Sequence, residues 1–265
     1  SLDMKTLLPE SLAGRKRVVH IYPLCFGEFL EFQELNTLKE KMARMKNMKR
    51  PDAETMAFLR KKYEEYVLYG GYPEVVLKKT REEKIRELED IYEAYIQKDI
   101  RGFLQVKNVQ AYNQLIRVLA LTSGNILNVS SIARDIGLDN RTVMKYLQLL
   151  EDTFIIMQLP SFHRFQKRKD LIRAPKLIFL DTGIRNFCLG NFAEPLSSRT
   201  DAGALLETVL VAEAVKQKGV LDRLYYWRTK NGLEIDLITT QGNRIRPVEI
   251  KQSKNLSSSD FRALR

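Results

Sequence analysis

Apolar positions recur at near-helical spacing through much of the first half of the chain and give way to strand-like runs later, so the pattern divides the molecule before any motif is considered. VVHIY, residues 18–22, reads as a short strand ended by Pro23, and FGEFLEFQEL reads as a helix on the spacing of Phe26, Phe29, Leu30 and Leu35. Residues 52–69 predict an amphipathic helix through Met56, Leu59, Tyr63, Tyr66 and Val67, stopped by Gly70-Gly71; Pro73 then opens the next element, so GGYP is a turn. REEKIRELEDIYEAYIQKDI predicts a helix that buries a stripe of Ile85, Leu88, Ile91, Tyr92, Tyr95 and Ile96. Between them, KEKMARMKNMKR reads either as a solvated helix face or as a basic helix for a groove, and no function is assigned to it.

Residues 111–159 carry three helical patterns in quick succession. The last two, SSIARDIG and DNRTVMKYLQLLED, meet at Gly137, a residue suited to the left-handed position after a helix, with Leu138 turning inward and Asp139 placed to cap the next helix. A short helix, a tight turn containing glycine and a second helix form a helix-turn-helix arrangement. In it Asn140, Arg141, Thr142 and Lys145 face outward toward DNA, while Val143, Leu147 and Leu150 face the core. Two β-rich runs follow and flank a basic tip, Gln166 to Asp170, in which Lys167, Arg168 and Lys169 can reach phosphates as a wing. Docking of the same surface on protein stays open as the alternative.

The last sixty or so residues read α-β-β-β: GALLETVLVAEAVKQKG, LYYWR, GLEIDLITT and RPVEIKQS. Glu234 and Asp236 share one face of the second strand, and Glu249 and Lys251 share one face of the third. Because neighbouring strands lie about 4.8 Å apart, Asp236 and the Glu249/Lys251 pair can converge at one end of the hairpin, with Glu207 on the preceding helix closing the group. Carboxylates so placed, Asp236 and Glu249 first among them, suit Mg²⁺ or Mn²⁺, and an adjacent lysine can offset charge developing on a phosphate. The catalytic set expected is therefore Glu207, Asp236, Glu249 and Lys251, for phosphodiester hydrolysis. An isolated ExK is more often a cross-strand salt pair, so it is the helix Glu, EID and EIK in order that carry the expectation.

Composition narrows the partners. The chain has 265 residues, with 44 Lys and Arg against 33 Asp and Glu, a net charge of +11 that points to a polyanion: nucleic acid, with DNA ahead of RNA. No run approaches the roughly 18 apolar residues of a membrane span, which predicts a soluble cytoplasmic protein with no membrane partner; a homo-oligomer is left open. Cys25 and Cys188 stand alone and His20 and His163 are the only histidines, which excludes a disulfide framework and disfavours thiolate or histidine metal sites.

With these residues laid out, the chain resembles a large prokaryotic family of AAA-superfamily ATPases that end in a domain of unknown function related to PD-(D/E)xK nucleases. ESLAGR followed by YPLCFGEFLEF resembles the family's segment after its sensor-one strand, YGGYPEVV its lid motif, APKLIFLDTGI its strand and turn after a winged helix, and LLETVLVAEAV, YYWRTKNGLEIDLI and PVEIK its C-terminal domain. The resemblance implies an α+β multidomain chain: the end of an AAA core over 1–35, a helical lid and linker helix over 36–105, a winged helix-turn-helix over 106–182, and a restriction-endonuclease-like α/β domain over 183–265, incomplete at its C-terminus. It also implies that Arg15 acts as an arginine finger or sensor, a purely structural arginine being the alternative. The GxxxxGK[ST] loop and Walker B acid that bind ATP and Mg²⁺ are absent from this sequence, so ATP is expected only with an N-terminal core that this chain lacks.

Overall fold

The structure, a computed structural model, describes residues 19–45, 52–94, 109–162, 172–252 and 263. In chain order the elements are α1 (Phe26–Phe32), α2 (Asn36–Met45), α3 (Ala53–Tyr69), α4 (Pro73–Val76), α5 (Arg81–Ile91), α6 (Val109–Leu121), α7 (Val129–Ile136), α8 (Asn140–Asp152), β1 (Ile156–Leu159), β2 (Lys176–Phe179), α9 (Thr182–Leu189), α10 (Ala202–Gln217), β3 (Asp222–Arg228), β4 (Glu234–Gln241) and β5 (Arg244–Val248). The architecture is α+β, with a β1–β2 pair and a β3–β4–β5 meander, both antiparallel.

Local chemistry sets the helix ends. Asp52 caps α3 by accepting from the Thr55 N–H at 2.7 Å, and the helix stops at Gly70, whose φ of 78° a residue with a side chain rarely adopts. Thr80 and Glu83 form a reciprocal capping box at the start of α5. Gly137 closes α7 in the left-handed conformation, and Asp139 caps α8 by accepting from Thr142 N–H at 2.9 Å. Of the strand expected over VVHIY, the described residues 19–22 carry none. A strand needs a partner ladder, whereas this segment packs its rings, with His20 and Tyr22 each edge-on to Phe154, and then anchors through the Leu24 N–H to Gly71 O at 2.7 Å.

The GGYP turn and the LDTG segment, far apart in sequence, lock together. Asp181, fully buried, accepts from Gly71 N–H at 2.7 Å with one oxygen and from Ile184 N–H at 3.1 Å with the other, which caps α9. A Cβ on Gly183 would lie 2.1 Å from Tyr69 O and one on Gly71 would lie 2.2 Å from Leu24 O, so both positions require glycine for close backbone approach. Asn186 donates to Val67 O and Leu68 O, satisfying carbonyls at the C-terminal end of α3.

The two sheets are joined by the residues that follow β1. Phe162 N–H donates to Tyr226 O at 2.7 Å and Tyr226 N–H donates to Pro160 O at 3.0 Å, so this segment runs parallel beside β3. Beneath the junction Leu159, Ile178 and Leu180 share one apolar cluster with Val211, Val215, Leu224, Tyr226 and Leu237. A second cluster gathers α5 through α9, and a third holds α1, α3 and the start of α10. Among the described residues no helix is long and apolar enough to cross a membrane.

Candidate functional site

At the seam between the two sheets, α10, β4 and β2 deliver ionisable side chains to one place. The period-two alternation of β4 puts Glu234 and Asp236 on one face, and α10 brings Glu207, so that one carboxylate oxygen from each of the three lies within 4.8 Å of the others. β2 contributes Lys176, opposite Leu159 in the β1–β2 register and only 1% exposed. Its ammonium donates to Glu207 at 2.5 Å, pairs with Glu234, and sits 3.9 Å from Asp236. The Tyr226 ring lies 5.5 Å from Lys176 Nζ, and its hydroxyl donates to Ala174 O. Arg228, half-exposed, pairs with the second oxygen of Glu234 at 3.1 Å.

Burial above all, opposed by Lys176 and reinforced by the Asp236 and Glu234 charges, pushes the Glu207 carboxyl up to about 7. Burial alone would lower the Lys176 ammonium, but Glu207 and Glu234 hold it above its usual range. With all three carboxylates ionised and one ammonium among them, the group carries a net charge of −2, and its oxygen donors could hold a divalent cation.

Glu249 and Lys251 stand beside this group, although not on β5 as expected. The ladder pairs Leu237 with Val248 and ends there. One step further Asp236 faces Glu249, and Asp236 Oδ2 takes the Ile250 N–H at 2.8 Å, so a side chain replaces the backbone acceptor that would prolong the strand. Lys251 pairs with Glu249 at 2.6 Å. Burial raises the Glu249 carboxyl, with Asp236 adding to the shift and Lys251 opposing it, and its Oε2 is buried without a hydrogen-bond partner among the described residues. Of the expected set, Glu207 and Asp236 therefore meet directly, with Glu234 rather than Glu249 as third carboxylate. Lys176 was missed. A lone lysine opening the apolar run KLIFL, in a strand buried on both faces, was the available signal.

Asn140, Arg141 and Lys145 are exposed along the first turns of α8, with Val143, Leu147 and Leu150 buried beneath. Asn140 donates to Ser130 at 3.3 Å, across the turn from α7. Lys167, Arg168, Lys169 and Arg15 lie outside the described residues.

A model of the family described as a domain of unknown function, DUF8612, matches residues 60–195, just over half of the chain. The chain belongs to this family. Residues 202–265 match a second domain of unknown function, DUF4143, which is typically found in the C-terminal regions of AAA ATPases and fits an AAA-associated C-terminal domain here. Similar proteins include an uncharacterized protein of Haemophilus influenzae, 26% identical over 90% of this DUF8612 chain and 54% of its own length. Another, from Methanocaldococcus jannaschii, is 25% identical over 88% of this chain and 49% of its own length, and a third, from Mycobacterium tuberculosis, is 26% identical over 72% and 43%. The chain thus spans about half the length of the curated relatives it matches. No solved structure matches it.

Proposed function

We propose that this chain is the DNA-directed C-terminal portion of an AAA-associated ATPase, and that Glu207, Glu234 and Asp236 form the metal-binding heart of a phosphodiester-hydrolysing site. The observation that supports it is the convergence of three carboxylate oxygens within 4.8 Å on α10 and β4. In this reading α10 and β3–β5 form a restriction-endonuclease-like core over 183–265, α6–α8 with β1–β2 form a winged helix-turn-helix over 106–182, and residues 36–105 are a helical lid and linker. ATP binding and any action of Arg15 on nucleotide belong to the longer protein.

Bound Mg²⁺ or Mn²⁺ would supply a polarised phosphate oxygen and an acidified water. The chain's own groups supply the rest. Glu207, Glu234 and Asp236 would hold the ion. Glu249 faces Asp236, and Lys251 beside it can offset negative charge on a phosphate. Asn140, Arg141 and Lys145, with the basic tip at Lys167 to Lys169, would hold the duplex. The test is incubation of the full-length protein with single-stranded, duplex and branched DNA in Mg²⁺ or Mn²⁺. Cleavage is expected from the wild type, with Asp236→Ala and Lys251→Ala reducing it on the order of a hundred-fold or more. Equal cutting by all three would refute the assignment.

One observation favours a second reading, a module that binds without cutting: Lys176 already neutralises part of the carboxylate group. That reading expects salt-sensitive binding and no cleavage by any form.

A further inference from the structure

We propose that Lys176 is a tethered cation that holds the Glu207–Glu234–Asp236 group closed, so that a divalent ion binds only by displacing it. This rests on reading those carboxylates as a metal-binding group, and it adds what controls their occupancy.

Position comes first. Lys176 is nearly fully buried, yet it is charged, and among the described residues its ion pairs are with the carboxylates of this group. A lysine buried without such partners would be expelled or neutralised, so the acids hold the ammonium as much as the ammonium holds them. Next comes the backbone. β2 is fixed on one side by the β1 ladder and on the other by Leu177, whose N–H donates to Asn125 O at 3.0 Å and whose carbonyl accepts from Gly124 N–H at 2.7 Å. Displacement therefore falls to the side chain. Gly124, with a φ of +88°, packs beside Glu207, where a Cβ would sit 3.5 Å from Oε2.

Electrostatics then makes the choice exclusive. Mg²⁺ requires carboxylate oxygens at about 2.1 Å, and the Glu207 and Glu234 oxygens that hold Nζ are among those it would use, with Asp236 Oδ1 3.9 Å from Nζ. Two cations drawn to the same oxygens repel each other, so the ammonium and the metal compete. The lysine comes from the β1–β2 hairpin and the acids from α10 and β4, so occupancy of the site depends on how these two parts of the chain are joined.

The experiment is Mn²⁺ titration of the full chain, followed by electron paramagnetic resonance of the free ion, for wild type and Lys176→Met. Because three uncompensated acids can prevent folding, Glu234→Gln and the double variant Lys176→Met/Glu234→Gln are measured alongside. Removing the ammonium is expected to tighten binding of one Mn²⁺ at least about ten-fold, in Lys176→Met against wild type and in the double variant against Glu234→Gln. Adding Asp236→Asn should abolish the gain. Unchanged or weaker Mn²⁺ binding, or a gain that survives Asp236→Asn, overturns the proposal. DNA cleavage separates the two readings. Tighter Mn²⁺ binding with no cleavage by any form keeps Lys176 as the tethered cation and removes the phosphodiesterase. Wild-type cleavage that is lost in Lys176→Met at unchanged Mn²⁺ affinity makes Lys176 a positioning residue and overturns the competition.

Discussion

Asp201 shows how much one side chain can hold together. It accepts from Arg199 Nε at 2.8 Å and from Arg185 Nη1 at 2.8 Å, and both arginines are buried, with Arg199 also bonded to Asn186 and to Asn191 O. The Arg199 hydrogen bond above all, with Arg185 adding to it, holds the Asp201 carboxyl at about 2 against an ordinary 3.8. A depressed carboxyl stabilises the fold above its unfolded value and loses that contribution as pH falls through the folded one. Asp201→Asn leaves two buried guanidinium groups short of their counter-charge, and we expect a loss of about 3 kcal/mol at pH 7 by urea unfolding. The variant should also lose less stability than wild type between pH 4 and pH 2, the window set by those two values. None of this network was legible in sequence, because Arg185, Arg199 and Asp201 belong to no spacing pattern and meet only when α9 folds back against the start of α10.

At the scale of elements, periodicity and punctuation carried most of the information. The α7–α8 turn follows the residues closely: Gly137 has a φ of +69°, and a Cβ there would meet nothing within 4 Å. Gly137→Ala should therefore cost about 1 kcal/mol through backbone conformation alone, and Asp139→Ala should lower stability through the lost cap, both read from denaturant midpoints. Where elements ended for non-local reasons, sequence reasoning overran. β5 stops at Val248 because the Asp236 side chain takes the Ile250 N–H, and residues 19–22 form no strand because the His20 and Tyr22 rings pack on Phe154.

For the whole molecule, a net charge of +11 frames the question of partners. If α8 lies on DNA, replacing Arg141 and Lys145 with alanine should reduce the slope of log affinity against log salt by about 2, measured by fluorescence anisotropy from low to physiological salt. Replacing Lys167, Arg168 and Lys169 as well should reduce it by about 4 to 5 in all. An unchanged slope would mean that this face docks on protein. The same scale explains the carboxylate site. The β1–β2 hairpin and the β3–β5 meander are continuous through Pro160–Phe162, so a lysine from one lies among the acids of the other.

By itself the sequence determined most of the helices, the caps and glycine turns between them, the alternation that puts Glu234 and Asp236 on one face, and the excess of positive charge. These follow from local sterics, hydrogen bonding and periodicity, which act over a few residues. Tertiary structure alone decided that Lys176 joins Glu207, that Asp181 meets Gly71, and that Arg185 and Arg199 share Asp201. Each of these contacts joins separate elements through buried polar groups, and such groups are stable only when the surrounding core has already excluded water and fixed their partners.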